Sequence, residues 1–304
     1  MREGDEAGDL SRGSSSGQGG IRAFLLQRLE RLSGVHKHMQ VYDIWRRDIA
    51  PYHPRKMNEL LRMLDVQLQI DAPVWPPDIA TAAPVVMVAN HPFGIGDGIA
   101  LAAMAEQLDR PYKVLINKEF LRIKEFHQHC LPIDFSNTRE AIATNLATRK
   151  AALQSLAAGE TLLVFPAGTV ATAPMVFGRA QEVPWKMFTA ALVQKAQANV
   201  LPVFFEGQNS ALFHAASHIS ASARMSLLIA EFRRFPGSRP VLRCAGLIPF
   251  ETLPVAGGRQ ELTDALFLAV HRLAPWAQGK TDAQLLPPYK LRQRPYKWDL
   301  PLGR

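Results

Sequence analysis

From Pro84 to about residue 273, short apolar runs alternate with helix-length segments, and this alternation limits the possible folds more than any other feature of the chain. The runs PVVMVA (84–89), YKVLIN (112–117), LPID (131–134), TLLVF (161–165), VLPVFF (200–205) and VLRCAGLI (241–248) have strand length and composition. Helices are predicted between and after them: from about Gly98 to Leu108, near 119–128, from Asn137 to Gly159, at 184–197, at 211–218, at 222–234 and at 258–273. Asn137 reads as an N-cap with Glu140 three residues on, and Gly159 as the stop. Strands that alternate with helices bury both sheet faces. The predicted fold class is therefore α/β, a single domain over 80–275 with a largely parallel mixed sheet flanked by helices and preceded by N-terminal amphipathic helices.

The flanks differ from this core. Residues 1–20 are rich in Gly, Ser and acids and read as a disordered leader; Gly13, Ser15 and Gly17 match a nucleophile elbow only by low complexity, with no strand before them and no helix after. Residues 21–70 have helical period: Ile21, Phe24, Leu25, Leu29 and Leu32 share a face opposite Arg22, Arg28 and Arg31, and further helices are expected at about 37–48 and 54–65. Such faces suit a membrane surface or packing on the chain's own domain. Residues 276–304 form a basic aromatic tail in which Lys290, Arg292, Arg294 and Lys297 alternate with Tyr289, Tyr296 and Trp298. That composition fits a membrane interface, a nucleic-acid arm or a solvated tail.

Two cysteines exclude a disulfide framework, and MREGDEAGDL carries no secretory signal. Pro166, Gly168 and Pro174 break the longest uncharged run, so no span is expected. The net charge of +8 attracts anionic lipid, phosphate or acidic proteins.

The chemistry centres on VANHPFGIGDGIAL, 88–101. A strand delivers His91 to its C-terminal end, where open α/β sheets bind ligands, and Asp97 opens the next helix. Imidazole is suited to taking a proton from an alcohol, and a carboxylate on its other nitrogen fixes the tautomer. Gly94, Gly96 and Gly98 permit a tight turn and close approach of a substrate. As a dinucleotide loop the segment fails, because the last glycine position falls on Ile99. Taken alone, His91 could equally be a structural histidine on a tight turn. His127, His129, Cys130 and Asp134 crowd together, but a helix end running into a strand scatters them. His214 and His218 have zinc-ligand spacing without the accompanying Glu, which leaves zinc hydrolysis a weak second reading. No metal site is expected.

HPFGIGD, NKEF (117–120), LLVFPAG (163–168) and VLPVFFEGQNS (200–210) follow one another in this order. The succession resembles the PlsC-type glycerolipid acyltransferase superfamily, and most closely its hemolysin-like and ornithine-lipid branch, from about Pro84 to Leu253. The resemblance implies His91 and Asp97 as the catalytic pair. It implies Phe93, Gly94, Lys118, Phe165, Pro166, Ala167, Gly168, Thr169 and Pro202 as substrate-binding residues. Two positions depart from the pattern: Ala167 stands where the family usually has Glu, and Val170 where it has a phosphate-binding Arg, so a phosphate-bearing acceptor is the less secure expectation.

The implied reaction moves a fatty acyl group from acyl carrier protein or acyl-CoA to the hydroxyl of a lysolipid or related amphiphile. His91 serves as base, and N–H groups of the Gly168–Thr169 turn hold the oxyanion. No cofactor is expected. The expected partners are an anionic membrane surface, a carrier-protein or CoA thioester and a lysolipid acceptor; no recognition motif points to nucleic acid. The implied location is cytoplasmic, peripheral on the inner face of the cell membrane. The rival reading is a catalytically inactive lipid-binding protein of the same fold.

Overall fold

The computed structural model describes residues 35–79, 83–118, 121, 124–136, 138–219 and 221–287. The expected leader, the helix over 21–32 and the tail beyond residue 287 lie outside the described residues, as does Asn137.

Seven strands form one sheet: β1 (Gln69–Asp71), β2 (Val85–Ala89), β3 (Tyr112–Asn117), β4 (Cys130–Ile133), β5 (Thr161–Val164), β6 (Asn199–Phe205) and β7 (Val241–Cys244), in the order β1-β7-β6-β2-β5-β3-β4. Every pairing is parallel except β6 with β7. The helices are α1 (Val35–Ile44), α2 (Lys56–Met63), α3 (Ile95–Gln107), α4 (Arg139–Ala157), α5 (Met187–Ala196), α6 (Ala211–Ile219), α7 (Ala221–Phe232), α8 (Gly258–His271) and the short α9 (Asp282–Leu285). The α/β domain with a mixed, largely parallel sheet is thus observed as the alternation predicts.

The central strands follow from their composition. All five residues of β2 are buried, as suits a strand covered on both sides. Met87 joins a core with Leu163, Leu201 and α3, while Val86 and Val88 join a second core with Leu162, Val200 and α8. The period of two divides one strand between two cores, and each large apolar side chain buried this way stabilises the fold by roughly 1.5–3 kcal/mol.

Several boundaries differ from expectation. Helix α3 begins three residues before Gly98, so Asp97 sits inside the first turn instead of opening it. The N-cap of α4 is Thr138, whose hydroxyl accepts from the Ala141 N–H. The helix expected near 119–128 is, in its described part, a 3-10 turn over Lys124–His129. Strand β7 stops at Cys244, and Ile248 bridges back to Val200.

Helix α2 is part of the domain. Glu106 of α3 caps its start, accepting from the N–H groups of Met57 and Asn58 at 2.9 and 3.0 Å, and Met57, Leu60 and Leu61 are buried in the same core as α3. Ala277 and Leu285, in the segment read as tail, are buried against α8 and its neighbours. No described helix is long and apolar enough to cross a membrane.

Candidate active site

The parallel strands end at one edge of the sheet, and the site forms there. Asn90, just past β2, is buried and pairs with β6 as a further strand residue would: it donates to the Phe205 carbonyl at 3.0 Å and accepts from the Phe205 N–H at 2.6 Å. His91 follows with its backbone held at both ends. Its N–H donates to Glu182 Oε1 at 2.8 Å, and its carbonyl accepts from the Ala171 N–H at 2.8 Å. The chain then turns through Gly94, whose φ of +91° disfavours any other residue. A β-carbon there would lie 2.6 Å from Leu228.

His91 Nδ1 lies 3.0 Å from Asp97 Oδ2. The same oxygen accepts from the N–H groups of Phe93 and Gly94, each at 2.8 Å. These are N–H groups at the start of α3, where the helix dipole also favours negative charge. Asp97 Oδ1 is buried without a hydrogen-bond partner among the described residues. The His91 ring stacks on Phe165 at 4.2 Å, directly after β5. Its side chain is 18% exposed, and it lines a cavity of about 810 Å³.

The cavity is mostly apolar. Ile95, Ile99, Leu115, Phe188 and Leu228 contribute to its wall, and Gly98 leaves space where a side chain would intrude. Among the expected substrate-binding residues, Gly94, Phe165, Pro166, Gly168 and Thr169 line it. Four others do not. Phe93 turns its ring onto Gly207. Lys118 pairs with Asp134 at 2.6 Å, which holds that carboxyl down at about 2. The Ala167 methyl is buried in the second core. Pro202 lies inside β6, opposite Val88. The N–H of Gly168, expected at the oxyanion, donates to the Phe165 carbonyl at 2.9 Å.

Two residues of the site escaped sequence reasoning. Glu182 is fully buried behind His91, and besides the His91 N–H it accepts from the Trp185 indole at 2.8 Å. Burial pushes its carboxyl up to about 8. Arg224, from α7, reaches the turn after β5 and donates to Thr169 Oγ1 at 2.8 Å and to the Val170 carbonyl. Neither sits in a motif, and each arrives from a separate part of the chain.

Three further histidines act within the fold. His129 faces the Tyr112 carbonyl at 3.2 Å, and burial lowers its pKa to about 4. His214 accepts from the Ala173 N–H at 3.2 Å and His218 meets the Ala173 carbonyl at 2.9 Å, so both main-chain polar groups of one residue are gripped by α6.

Residues 77–232 match a family described as Acyltransferase, and the chain belongs to that family. Two curated relatives are both lyso-glycine lipid O-acyltransferases. One, from Bacteroides thetaiotaomicron, is 26% identical over 144 residues, covering 47% of this chain and 50% of the relative. The other, from Phocaeicola vulgatus, is 23% identical over 144 residues, covering 47% and 49%. The chain thus spans about half the length of the curated relatives it matches. Among solved structures, the 1-acyl-sn-glycerophosphate (LPA) acyltransferase PlsC from Thermotoga maritima is similar at 14% identity and a TM-score of 0.48, over 82% of this chain and 90% of that one.

Proposed function

We infer that this protein is an O-acyltransferase that moves a fatty acyl group from a thioester, acyl carrier protein or acyl-CoA, to the hydroxyl of a lysolipid or related amphiphilic acceptor. The observation that carries the reading is the His91–Asp97 pair, closed at 3.0 Å, on the wall of a large apolar cavity. Family membership and the activity of the lyso-glycine lipid relatives support it.

In this mechanism Asp97 accepts from Nδ1–H, which leaves the Nε2 lone pair for the acceptor O–H. The acceptor oxygen attacks the thioester carbonyl while His91 takes its proton. The Thr169 N–H, which donates to no protein acceptor among the described residues, stabilises the oxyanion. The C–S bond then breaks, and the imidazolium returns the proton to the leaving thiolate. Transfer is direct. Burial raises the Cys130 thiol to about 11 and Cys244 to about 12, so neither is a ready thiolate nucleophile.

The protein works at an anionic membrane surface, peripherally and on the cytoplasmic side. Exposed apolar side chains support the contact with lipid: Met175 and Phe177 in the loop after β5, Leu212 and Ile219 on α6, and Met225 and Ile229 on α7. Met225 also lines the cavity, so the exposed side of α7 reaches the site.

The test is thiol release from palmitoyl-CoA or an acyl carrier thioester with a panel of lysolipid acceptors, for wild type and His91→Ala. Acceptor-dependent release lost in the variant supports the reading. Silence across the panel, with liposome binding intact, favours a lipid-binding protein without turnover.

A further inference from the structure

The cavity that holds His91 carries four cationic side chains, Arg149, Lys186, Arg224 and Arg259, and no Asp or Glu among its described lining residues. A large apolar space with cationic side chains on its wall suits an amphiphile with an anionic end.

Arg224 is the best-defined of the four. Its Nη2 donates to Thr169 Oγ1 and to the Val170 carbonyl, so both hydrogens of that nitrogen are used and the fork is fixed in direction. The guanidinium carbon lies 5.7 Å from the Phe213 ring centroid. No described acceptor takes the hydrogens of Nε and Nη1, and no described carboxylate pairs with this half-buried cation. A guanidinium withdrawn from water without a counter-ion is costly, and the hydrogens left on Nε and Nη1 can each donate to an oxygen of a carboxylate or phosphate.

Lys186 approaches the same turn at Gly168. Its ammonium lies 4.2 Å over the Phe135 ring and 3.1 Å from the point where a Gly168 β-carbon would stand. Arg224 and Lys186 therefore both reach the turn over 165–170. That turn stacks Phe165 on the His91 ring, and the next residue, Ala171, hydrogen-bonds the His91 carbonyl. An anion gripped here is registered against the base itself.

We propose that Arg224, with Lys186 at the same turn, forms the binding site for an anionic head group, carboxylate or phosphate, of the acceptor amphiphile. The site orients that acceptor so that its hydroxyl meets His91. The assignment of the ligand as acceptor rests on the acyltransferase reading; the anion site itself does not.

The experiment measures binding of N-lauroylglycine, dodecyl phosphate and uncharged N-lauroylethanolamine, each below its micelle concentration, to the full chain as wild type, Arg224→Gln, Arg224→Lys and Lys186→Gln. Arg224→Gln is expected to weaken one or both anionic probes about tenfold, the lower end for a charged hydrogen bond, and to leave the neutral probe unchanged. Arg224→Lys should restore part of the loss, and the anion that responds names the head group. If Arg224→Gln does not fold, Arg224→Lys and Lys186→Gln read the same contrast. In turnover, KM for the anionic acceptor should rise with kcat little changed. Equal affinity for all three probes in wild type and variants overturns the site, even if His91→Ala abolishes thiol release and the acyltransferase reading stands. Conversely, Arg224-dependent anion binding without thioester consumption by any acceptor overturns the catalytic reading and leaves the site.

Discussion

Two histidine–carboxylate pairs lie back to back in this protein, joined through a single backbone N–H. His91 and Asp97 meet at 3.0 Å on the cavity wall, whereas His271 and Glu182 meet at 3.4 Å sealed behind it. Asp97 receives two N–H groups from a helix start. Glu182 receives the His91 N–H and one indole, but burial dominates and raises its carboxyl to about 8. Burial also lowers His271 to about 4, with its Nδ1 on the Phe267 carbonyl and its ring stacked on Phe267 at 3.8 Å. Imidazole and carboxyl thus make one pair that opens on the cavity through His91 and one sealed pair that keeps a proton fixed. Access to the cavity and the supply of backbone donors separate them.

The contrast can be attacked at each member. His91→Ala should lower acyl transfer by about 10²–10⁴ while the protein stays folded, as read by thiol release and circular dichroism. His271→Phe, which keeps the aromatic packing, should leave turnover within about tenfold; a loss as large as that of His91→Ala would erase the distinction. Asp97→Asn should cost roughly 100-fold in kcat, because the amide no longer fixes the productive tautomer.

Glu182→Gln should act through pH. With its carboxyl raised from 4.5 to about 8, the folded state holds a proton that the unfolded chain has released, so stability is fully present below 4.5 and falls as pH rises to about 8. His271, lowered from 6.5 to about 4, loses stability as pH falls through that window. The two slopes oppose each other between 4.5 and 6.5 and leave a net fall from 6.5 to 8. Thermal melting of wild type should therefore decline over that upper window by up to about 1.4 kcal/mol per pH unit, or roughly 2–4 °C per kcal/mol. Glu182→Gln should melt evenly there. The smallest effect is expected from Trp185→Phe, which removes one donor to Glu182 and should cost about 1–2 kcal/mol with transfer retained.

Much of this was legible in the sequence because period and spacing are local. The run over 84–89 and the glycines after it specify a strand, a turn and a helix, and they place His91 and Asp97 six residues apart. The helix start was misread because no side-chain cap marks it; Gly94 holds the position and Asp97 accepts its N–H from within the first turn. Strand β1 was missed because three residues with mostly exposed side chains carry no pattern. Glu182 and Arg224 were illegible for a different reason. Their partners lie 91 residues away in one case and 55 in the other, and only the folded sheet edge brings them together. Phe93 and Pro202 failed as cavity residues because a motif specifies neighbours along the chain and leaves the direction of each side chain to packing.

Strand β1 has one further consequence. Asp71 and Arg243, paired at 2.5 Å across β1 and β7, are 172 residues apart in the chain, and β7 must first turn back antiparallel on β6 to receive β1. During synthesis the ribosome releases β1 long before its partner exists. Until Val241 and its neighbours emerge, β6 presents an unpaired edge, the template on which one growing chain can adhere to another. Closure of that edge is a late, long-range step, and contacts of such separation slow folding. Translation of the segment around Val241 therefore decides whether the strands already paired are sealed or left open to aggregation.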